Sequence, residues 1–351
     1  MTSTPRNYDI FCDIFCAVVD NYGDAGVCWR LARQLAMDHG WRVRLWIDDP
    51  QPLHRLAPDH ASGSVDVRPW REPWQAVDPA DIVIEAFACE PPAEYVAAMA
   101  RREPKPIWFN LEYLSAEAWI ASCHGQPSPH PRLPLMKHFF FPGFDAATGG
   151  LLREADYDAR RAAFDEAAFR AEFGLPPRQA DELTISMFAY PHAPLPDLLP
   201  ALVRSTRPIS LLLPGAAAGA PHTGALRQFA LPFLPQNRYD EILWACDLNF
   251  VRGEDSFVRA QWAAKPLVWH IYPQDGDAHM VKLDAFLDRH PAGSLLRPFW
   301  HAWNGRDHLD WPAFAASLPA QAVAAKTWQR TLSGLQDLAA ALVQFAGERL
   351  K

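Results

Sequence analysis

The sequence predicts an α/β protein built from two Rossmann-like halves. Three observations carry this. Apolar runs of buried-strand length alternate with amphipathic helical patterns through both halves. Polar turns rich in glycine, proline, aspartate or asparagine follow those runs, at the carboxyl ends of the strands. The chain has 351 residues, 49% hydrophobic and 21% charged, enough to bury large cores in about two domains.

Taken in order, Ile10–Val19 reads as an apolar strand, Asp20–Gly26 as a polar turn and Val27–Met37 as an amphipathic helix. Arg42–Ile47, Val65–Arg68, Ile82–Ala86 and Ile107–Asn110 read as further strands, with a helix near Pro92–Arg101. Gln126–Pro134 is a proline-rich loop and His138–Phe144 a strand and turn. A charged helix is expected over Tyr157–Phe173, then a linker over Gly174–Leu183.

The second alternation starts at Leu183. Leu183–Phe188, Ile209–Leu213 and Leu231–Leu234 are expected strands, and Leu195–Ser205 and Tyr239–Cys246 expected helices. Leu248–Val251 is a buried-strand run that breaks at Arg252-Gly253. Glu254-Asp255-Ser256 open a helix, Pro266 ends it, and Leu267–Ile271 is the next strand. A helix over Val281–Arg289 and a long amphipathic tail over Ala320–Arg349 complete the pattern. The expected division is 1–175, an N-terminal Rossmann-like domain carrying Asp20 and Asp24, then 176–330, a C-terminal Rossmann-like domain. A C-terminal helix over 331–351 would pack back on the first. Two Rossmann-like domains facing a cleft is the plan of the GT-B glycosyltransferase fold, although a fold does not fix a function.

Bulk properties narrow the classes. A formal net charge of -8 argues against a general nucleic-acid binder, which carries a basic face, and leaves a basic protein partner open. No run is long and apolar enough to cross a bilayer. MTSTPRNYDIFCDIF has neither a basic n-region nor a cleavage site, so no secretory leader is expected. The six cysteines contain no C-x-x-C pair and read as free thiols of a reducing cytoplasm.

Motifs exclude more. Gly23 and Gly26 give G-x-x-G rather than G-x-G-x-x-G, which disfavours a nicotinamide enzyme. The P-loop, zincin and serine-hydrolase signatures are missing. Asp275, Asp277 and His279 could share a cation. They also start a helix after a strand, where acidic side chains simply complement the dipole, and no metal is expected there.

Two clusters remain. After the strand Leu248–Val251, a helix start offers free N–H groups suited to a phosphate, and Arg252 adds a fork-shaped cation. Glu254 and Asp255 beside an anion site need another purpose, such as sugar hydroxyls or a cationic acceptor. The plainer reading is that Glu254, Asp255 and Ser256 cap the helix. Asp20 and Asp24 lie in the turn after the first strand, where Asn21 and Gly23 allow a tight backbone. A carboxylate there can serve as general base, or it can cap the helix.

Val19-Asp20-Asn21-Tyr22-Gly23-Asp24-Ala25-Gly26-Val27-Cys28-Trp29-Arg30 resembles the N-terminal signature of the EarP family of bacterial protein-arginine rhamnosyltransferases. So do Asn110–Ser115, His138–Phe144, Thr148–Glu154 and the run from Pro235 to Gln274. The resemblance spans nearly the whole chain in one order. It implies an inverting GT-B enzyme that moves L-rhamnose from dTDP-β-L-rhamnose to an arginine of translation elongation factor P, which then rescues polyproline-stalled ribosomes. It implies Asp24 as general base, Asp20 as the second essential acid of that turn, and Glu254 as a catalytic glutamate. It also implies a donor site lined by Phe188, Tyr190, Phe233, Gln236, Tyr239 and Arg252, with Asp255 and Ser256 on the phosphates. Ala25, Ala264 and Leu267 depart mildly from the family pattern, and Tyr239 stands where some members carry Phe.

Chemistry makes sense of that set. Guanidinium is protonated and delocalised, with a pKa above about 12, so it needs anions to hold it and take its proton. Asp20, Asp24 and Glu254 would supply them. Arg252 and the helix start would stabilise the leaving diphosphate without a metal. Phe233 and Tyr239 would stack on thymine, and Gln236 would offer its amide. A nucleotide-sugar epimerase of the same plan, needing no protein acceptor, and a non-catalytic partner of a translation factor are the alternatives. The second leaves three carboxylates without a purpose.

Overall fold

The computed structural model describes residues 9–20, 22–70, 74–217 and 222–350, with only the backbone at 275. Asn21 and the first eight residues, on which two readings above fall, lie outside the described residues.

Contacts divide the chain into two units: Met1–Leu114, Trp119–Ala155 and Gln336–Lys351 form one, and Ser115–Ala118 and Asp156–Leu335 the other. The sequence reading put the change at 175/176. The difference comes from Asp156–Leu175, whose aromatics sit in the second core: Trp244 Nε1 donates to the Tyr157 hydroxyl at 2.9 Å, and Phe169 and Leu175 pack with Leu212, Leu231 and Ile242.

The first unit holds β1 (Phe11–Cys16), β2 (Arg42–Ile47), β3 (Val65–Pro69), β4 (Ile82–Ala86), β5 (Ile107–Leu111), β6 (Pro127–Pro129) and β7 (Met136–Phe140). Their order is β3-β2-β1-β4-β5-β7-β6, parallel except for β6, which pairs antiparallel with β7. The expected proline-rich loop thus contains an edge strand, where missing N–H groups cost no ladder bond. The central strands β1 and β4 are buried along nearly their whole length, which is why they read as continuous apolar runs. Buried Asp13 interrupts β1 and is paid off by Arg44, which donates Nε at 2.6 Å, and by Trp46 Nε1 at 2.9 Å.

The second unit holds β8 (Leu183–Met187), β9 (Ile209–Pro214), β10 (Leu226–Leu231), β11 (Leu248–Arg252) and β12 (Leu267–His270). Their order is β10-β9-β8-β11-β12, all parallel. The winding repeats that of the first five strands of the other unit. In each sheet the order reverses beside the first strand, next to β1 and β4 in one and β8 and β11 in the other. Crevices at such reversals are where open α/β sheets bind ligands.

Several elements differ from expectation. The strand expected at Leu231–Leu234 lies instead at Leu226–Leu231. As an edge strand with four half-buried residues, it carries no apolar run to announce it. The charged helix is two, Tyr157–Ala162 and Glu166–Glu172, because Asp165 accepts from the N–H groups of Ala167 and Ala168 and starts a new one. The tail is also two, Trp311–Ser333 and Leu338–Gly347, with Asp337 capping the second through the Ala340 N–H. A helix over Gly293–Trp303 was not foreseen; Pro298 lies inside it and masks a pattern that buries Trp300 and Trp303 completely. Helix Tyr22–Met37 begins five residues earlier than expected, which places Asp24 inside its first turn.

The helix Leu338–Gly347 belongs to the first unit. Gln34 ties it in by donating to Asp337 Oδ1 at 2.8 Å and to the Arg153 carbonyl at 2.7 Å. Gly150 lets the segment pass: its φ is +72°, and a Cβ there would stand 2.0 Å from the Gln336 carbonyl oxygen. All six cysteines are free, four buried and Cys89 and Cys123 half-buried.

Candidate active site

At the reversal in the first unit, the chain leaves β1 and turns at Asp20 into helix Tyr22–Met37. Asp24 is 2% exposed. Its Oδ2 accepts from the N–H groups of Val19 and Asp20, both at 2.8 Å. Its Oδ1 accepts from the Tyr113 hydroxyl at 3.2 Å. Asp24 thus holds the N–H groups of the turn before the helix rather than those of the helix's own first turn, and one oxygen ties that turn to the helix start. Gly23 leaves the Asp20 carboxylate its place, since a Cβ there would lie 2.6 Å from Asp20 Oδ2 and push that side chain aside. Asp20 and Asp24 are brought together, with the Asp20 N–H on the Asp24 carboxylate.

At the reversal in the second unit, β8 delivers Phe188 and Tyr190, and β11 ends on Arg252. The Arg252 guanidinium carbon lies 4.3 Å from the Phe188 ring centroid and 4.9 Å from that of Tyr190, and Nη1 donates to the Ala189 carbonyl at 3.2 Å. Gly253 takes a φ of +60°, and the helix Asp255–Trp262 follows. Ser256, in the first turn, ties the helix to the end of β11: its hydroxyl accepts from the Arg252 N–H at 3.1 Å and donates to the Arg252 carbonyl. Asp255 Oδ2 accepts from Gln236 Nε2 at 2.9 Å. Glu254 occupies the N-cap position, yet its side chain makes no capping hydrogen bond. The side-chain hydrogen bond that a capping role would give Glu254 is not made.

Gln236 opens the helix Gln236–Ala245 and Tyr239 follows one turn on, its ring 5.9 Å from that of Phe188. Burial pushes the Tyr239 hydroxyl well above the ordinary phenol range, so it stays neutral. Phe233, half-buried, lies on the loop after β10, with its ring 3.6 Å from where a Cβ on Gly215 would be. Phe188, Tyr190, Gln236, Tyr239, Arg252, Asp255 and Ser256 form one aromatic and polar floor at the carboxyl ends of β8 and β11. Asp20 and Asp24 belong to the first unit and Glu254 to the second.

Other groups near these sites were not foreseen. His270 ends β12 and accepts the Tyr190 N–H on Nδ1 at 3.2 Å, and burial with neighbouring His192 and Arg252 lowers its pKa to about 3. It is a neutral acceptor that fixes Tyr190. The signal was thin: one polar residue closing an apolar run. Tyr113 was legible only as part of a sequence run; its contact with Asp24 passes the end of the intervening strand β4.

The metal question concerns Asp275-Gly276-Asp277 and His279. Asp277 is left-handed at a φ of 59° and accepts from Arg306 at 2.8 Å. Among the described residues, no group of three or more His, Cys, Asp or Glu is arranged to hold a metal ion. Among the same residues, no helix is long and apolar enough to cross a membrane.

Comparison with known proteins bears on family and fold. The model of the family described as "Elongation-Factor P (EF-P) rhamnosyltransferase EarP" matches residues 12–347. The chain is 46% identical to a protein-arginine rhamnosyltransferase of Pseudomonas aeruginosa, over 96% of this chain and 99% of that one. It is 40% identical to a protein of the same name from Neisseria meningitidis, over 79% and 78%. It is similar to a solved structure reporting the structural basis for EarP-mediated arginine glycosylation of translation elongation factor EF-P, at 33% identity, TM-score 0.67 and 97% and 99% coverage. Similarity to the glycosyltransferase VinC in complex with DTDP, at 11% identity, TM-score 0.51 and 97% and 100% coverage, shows the shared GT-B fold alone.

Proposed function

This chain belongs to the EarP family of elongation factor P rhamnosyltransferases, and on that premise we propose that it transfers L-rhamnose from dTDP-β-L-rhamnose to an arginine side chain of translation elongation factor P, with inversion. It is a protein-arginine rhamnosyltransferase, as are the relatives it matches along nearly its full length. The observation that carries the donor half is Arg252 seated over Phe188 and Tyr190 beside the start of helix Asp255–Trp262. A fork-shaped cation and a helix N-terminus suit a diphosphate, and aromatic faces with an amide suit a pyrimidine.

In the step we propose, a guanidinium nitrogen of the acceptor attacks the anomeric carbon. The C–N bond forms as the C–O bond to the diphosphate breaks, and that electron pair leaves with dTDP. The proton on the attacking nitrogen passes to Asp24, so no covalent sugar intermediate is needed. Asp20 holds the cation beside it, and Glu254 grips the guanidinium or a sugar hydroxyl. Arg252 and the N–H groups near Asp255 and Ser256 take up the charge that develops on the diphosphate, which makes a metal unnecessary. Phe233, Tyr239 and Gln236 hold the thymine. The first unit serves the acceptor and the second the donor. The setting is the cytoplasm, where the acceptor works.

The test is the intact mass of purified elongation factor P after incubation with this protein and dTDP-rhamnose. A gain of one deoxyhexose, absent when the modified arginine is replaced by lysine, is the expected result. Soluble sugar product from donor alone, with the factor unmodified, would overturn the reading.

A further inference from the structure

We propose that Tyr113 is a positioning residue for the Asp24 carboxylate, and that Phe87 is held in a costly backbone conformation to keep Tyr113 there. The inference rests on the reading of Asp24 as the base.

The Asp24 carboxylate is fixed unequally. Oδ2 takes two backbone N–H groups at 2.8 Å, which pins that oxygen but leaves the carboxylate plane free to swing about it. The Tyr113 hydroxyl on Oδ1 at 3.2 Å supplies the second point, and with the covalent anchor at Cβ the carboxylate plane is fixed. A base acts only along its lone-pair directions, so the plane matters more than the position.

Tyr113 comes from afar to do this. It lies two residues beyond the end of β5, with β4 standing between β5 and β1. The gap is filled by Phe87, the first residue after β4. Its ring stacks on that of Tyr113 with centroids 4.1 Å apart and planes 10° apart. Its N–H donates to the Leu111 carbonyl at 2.7 Å, which ties the β4 exit to the strand that carries Tyr113.

The backbone there is unusual. Phe87, Ala88 and Glu90 have φ values of 59°, 55° and 46°, in the left-handed region, and no glycine stands among residues 87 to 90. Glycine would relieve the strain at Phe87 but would remove the ring. Strain kept for a side chain is a pointer to what that side chain does, and this one braces Tyr113.

The experiment compares Tyr113→Phe, Phe87→Leu, Asp24→Asn and the double variant Tyr113→Phe/Asp24→Asn as full-length proteins, with single-turnover rhamnosylation of elongation factor P read by mass over long incubations. Tyr113→Phe keeps the stack and removes only the hydroxyl. It is expected to lower turnover about 5- to 50-fold, while the KM for the acceptor, donor affinity and melting temperature hold steady. Phe87→Leu should lower turnover in the same way but less. In the Asp24→Asn background, Tyr113→Phe should have no further effect, since there is no base left to aim. A full additive loss in the double variant, or a native rate in Tyr113→Phe, overturns the proposal. Asp24→Asn with native turnover would instead sink the base reading on which it rests.

Discussion

At Asp24, holding the turn and the proposed proton transfer draw on different oxygens of one carboxylate. Oδ2 is committed to the Val19 and Asp20 N–H groups, and a neutral amide oxygen can accept both. Asp24→Asn is therefore expected to keep the turn and donor affinity while turnover falls about 10²–10⁴-fold, the usual loss of a general base. A near-native single-turnover rate would leave Asp24 as the holder of its turn alone. Glu254 separates the same alternatives more sharply, because its side chain makes no capping bond. Glu254→Gln should leave melts with and without dTDP-rhamnose unchanged and lower the rhamnosylation rate by orders of magnitude. A variant that melts lower by the about 0.3–1 kcal/mol of a dipole contact, yet transfers sugar at the native rate, would return Glu254 to the helix. The identities of the carboxylates were legible because they sit in short polar turns after apolar runs. Their partners were not: Tyr113 is 89 residues from Asp24, and no local pattern records a contact across an intervening strand.

Helices and strands divide by the same logic. The central strands announced themselves because both their faces are covered, whereas β10 alternates buried ends with half-buried middles at a sheet edge. Helix breaks at Asp165 and Asp337 were missed because a cap in mid-pattern is one residue against a long periodic background. Ser256→Ala removes a hydroxyl bonded to both the N–H and the carbonyl of Arg252. It should cost about 1 kcal/mol of stability and weaken donor binding, since Arg252 loses its anchor to the helix start. Calorimetry with dTDP-rhamnose checks this; unchanged affinity with lowered stability would confine Ser256 to holding the end of β11. Gly150→Ala is the opposite kind of change, a new methyl aimed at the Gln336 carbonyl from a left-handed residue. It should displace the segment leading into helix Leu338–Gly347 and appear as early loss of amide protection in that helix; native protection there would contradict the close approach.

Over the whole molecule, buried histidines set a pH limit. Burial lowers the His290 pKa to about 4, and burial with His192 and Arg252 lowers that of His270 to about 3, against an ordinary 6.5. Both groups bind a proton in the unfolded chain before they do in the fold. Stability is therefore full above about pH 6.5 and falls as pH drops toward those lower values, by up to about 1.4 kcal/mol per pH unit for each histidine. Urea unfolding of the second unit across that window checks the sign; stability that rises on acidification would contradict it. A separate expectation is that transfer survives exhaustive chelation, and its loss with recovery on Mg²⁺ would assign the metal role to Asp277 and its neighbours. The broad two-unit plan was legible from alternation, but not the point where one unit ends, because helices after residue 155 look alike whichever core they serve. Nor was it legible how much depends on Gln336–Lys351 lying within the first unit. During synthesis that unit emerges first and lacks its closing helix until the whole of the second has left the ribosome. Gln34, Phe109 and Phe140 wait that long for Asp337 and Phe345. Chains arrested before Gln336 should hold a second unit that already resists protease and a first that does not, so the half carrying Asp24 matures last although it is made first.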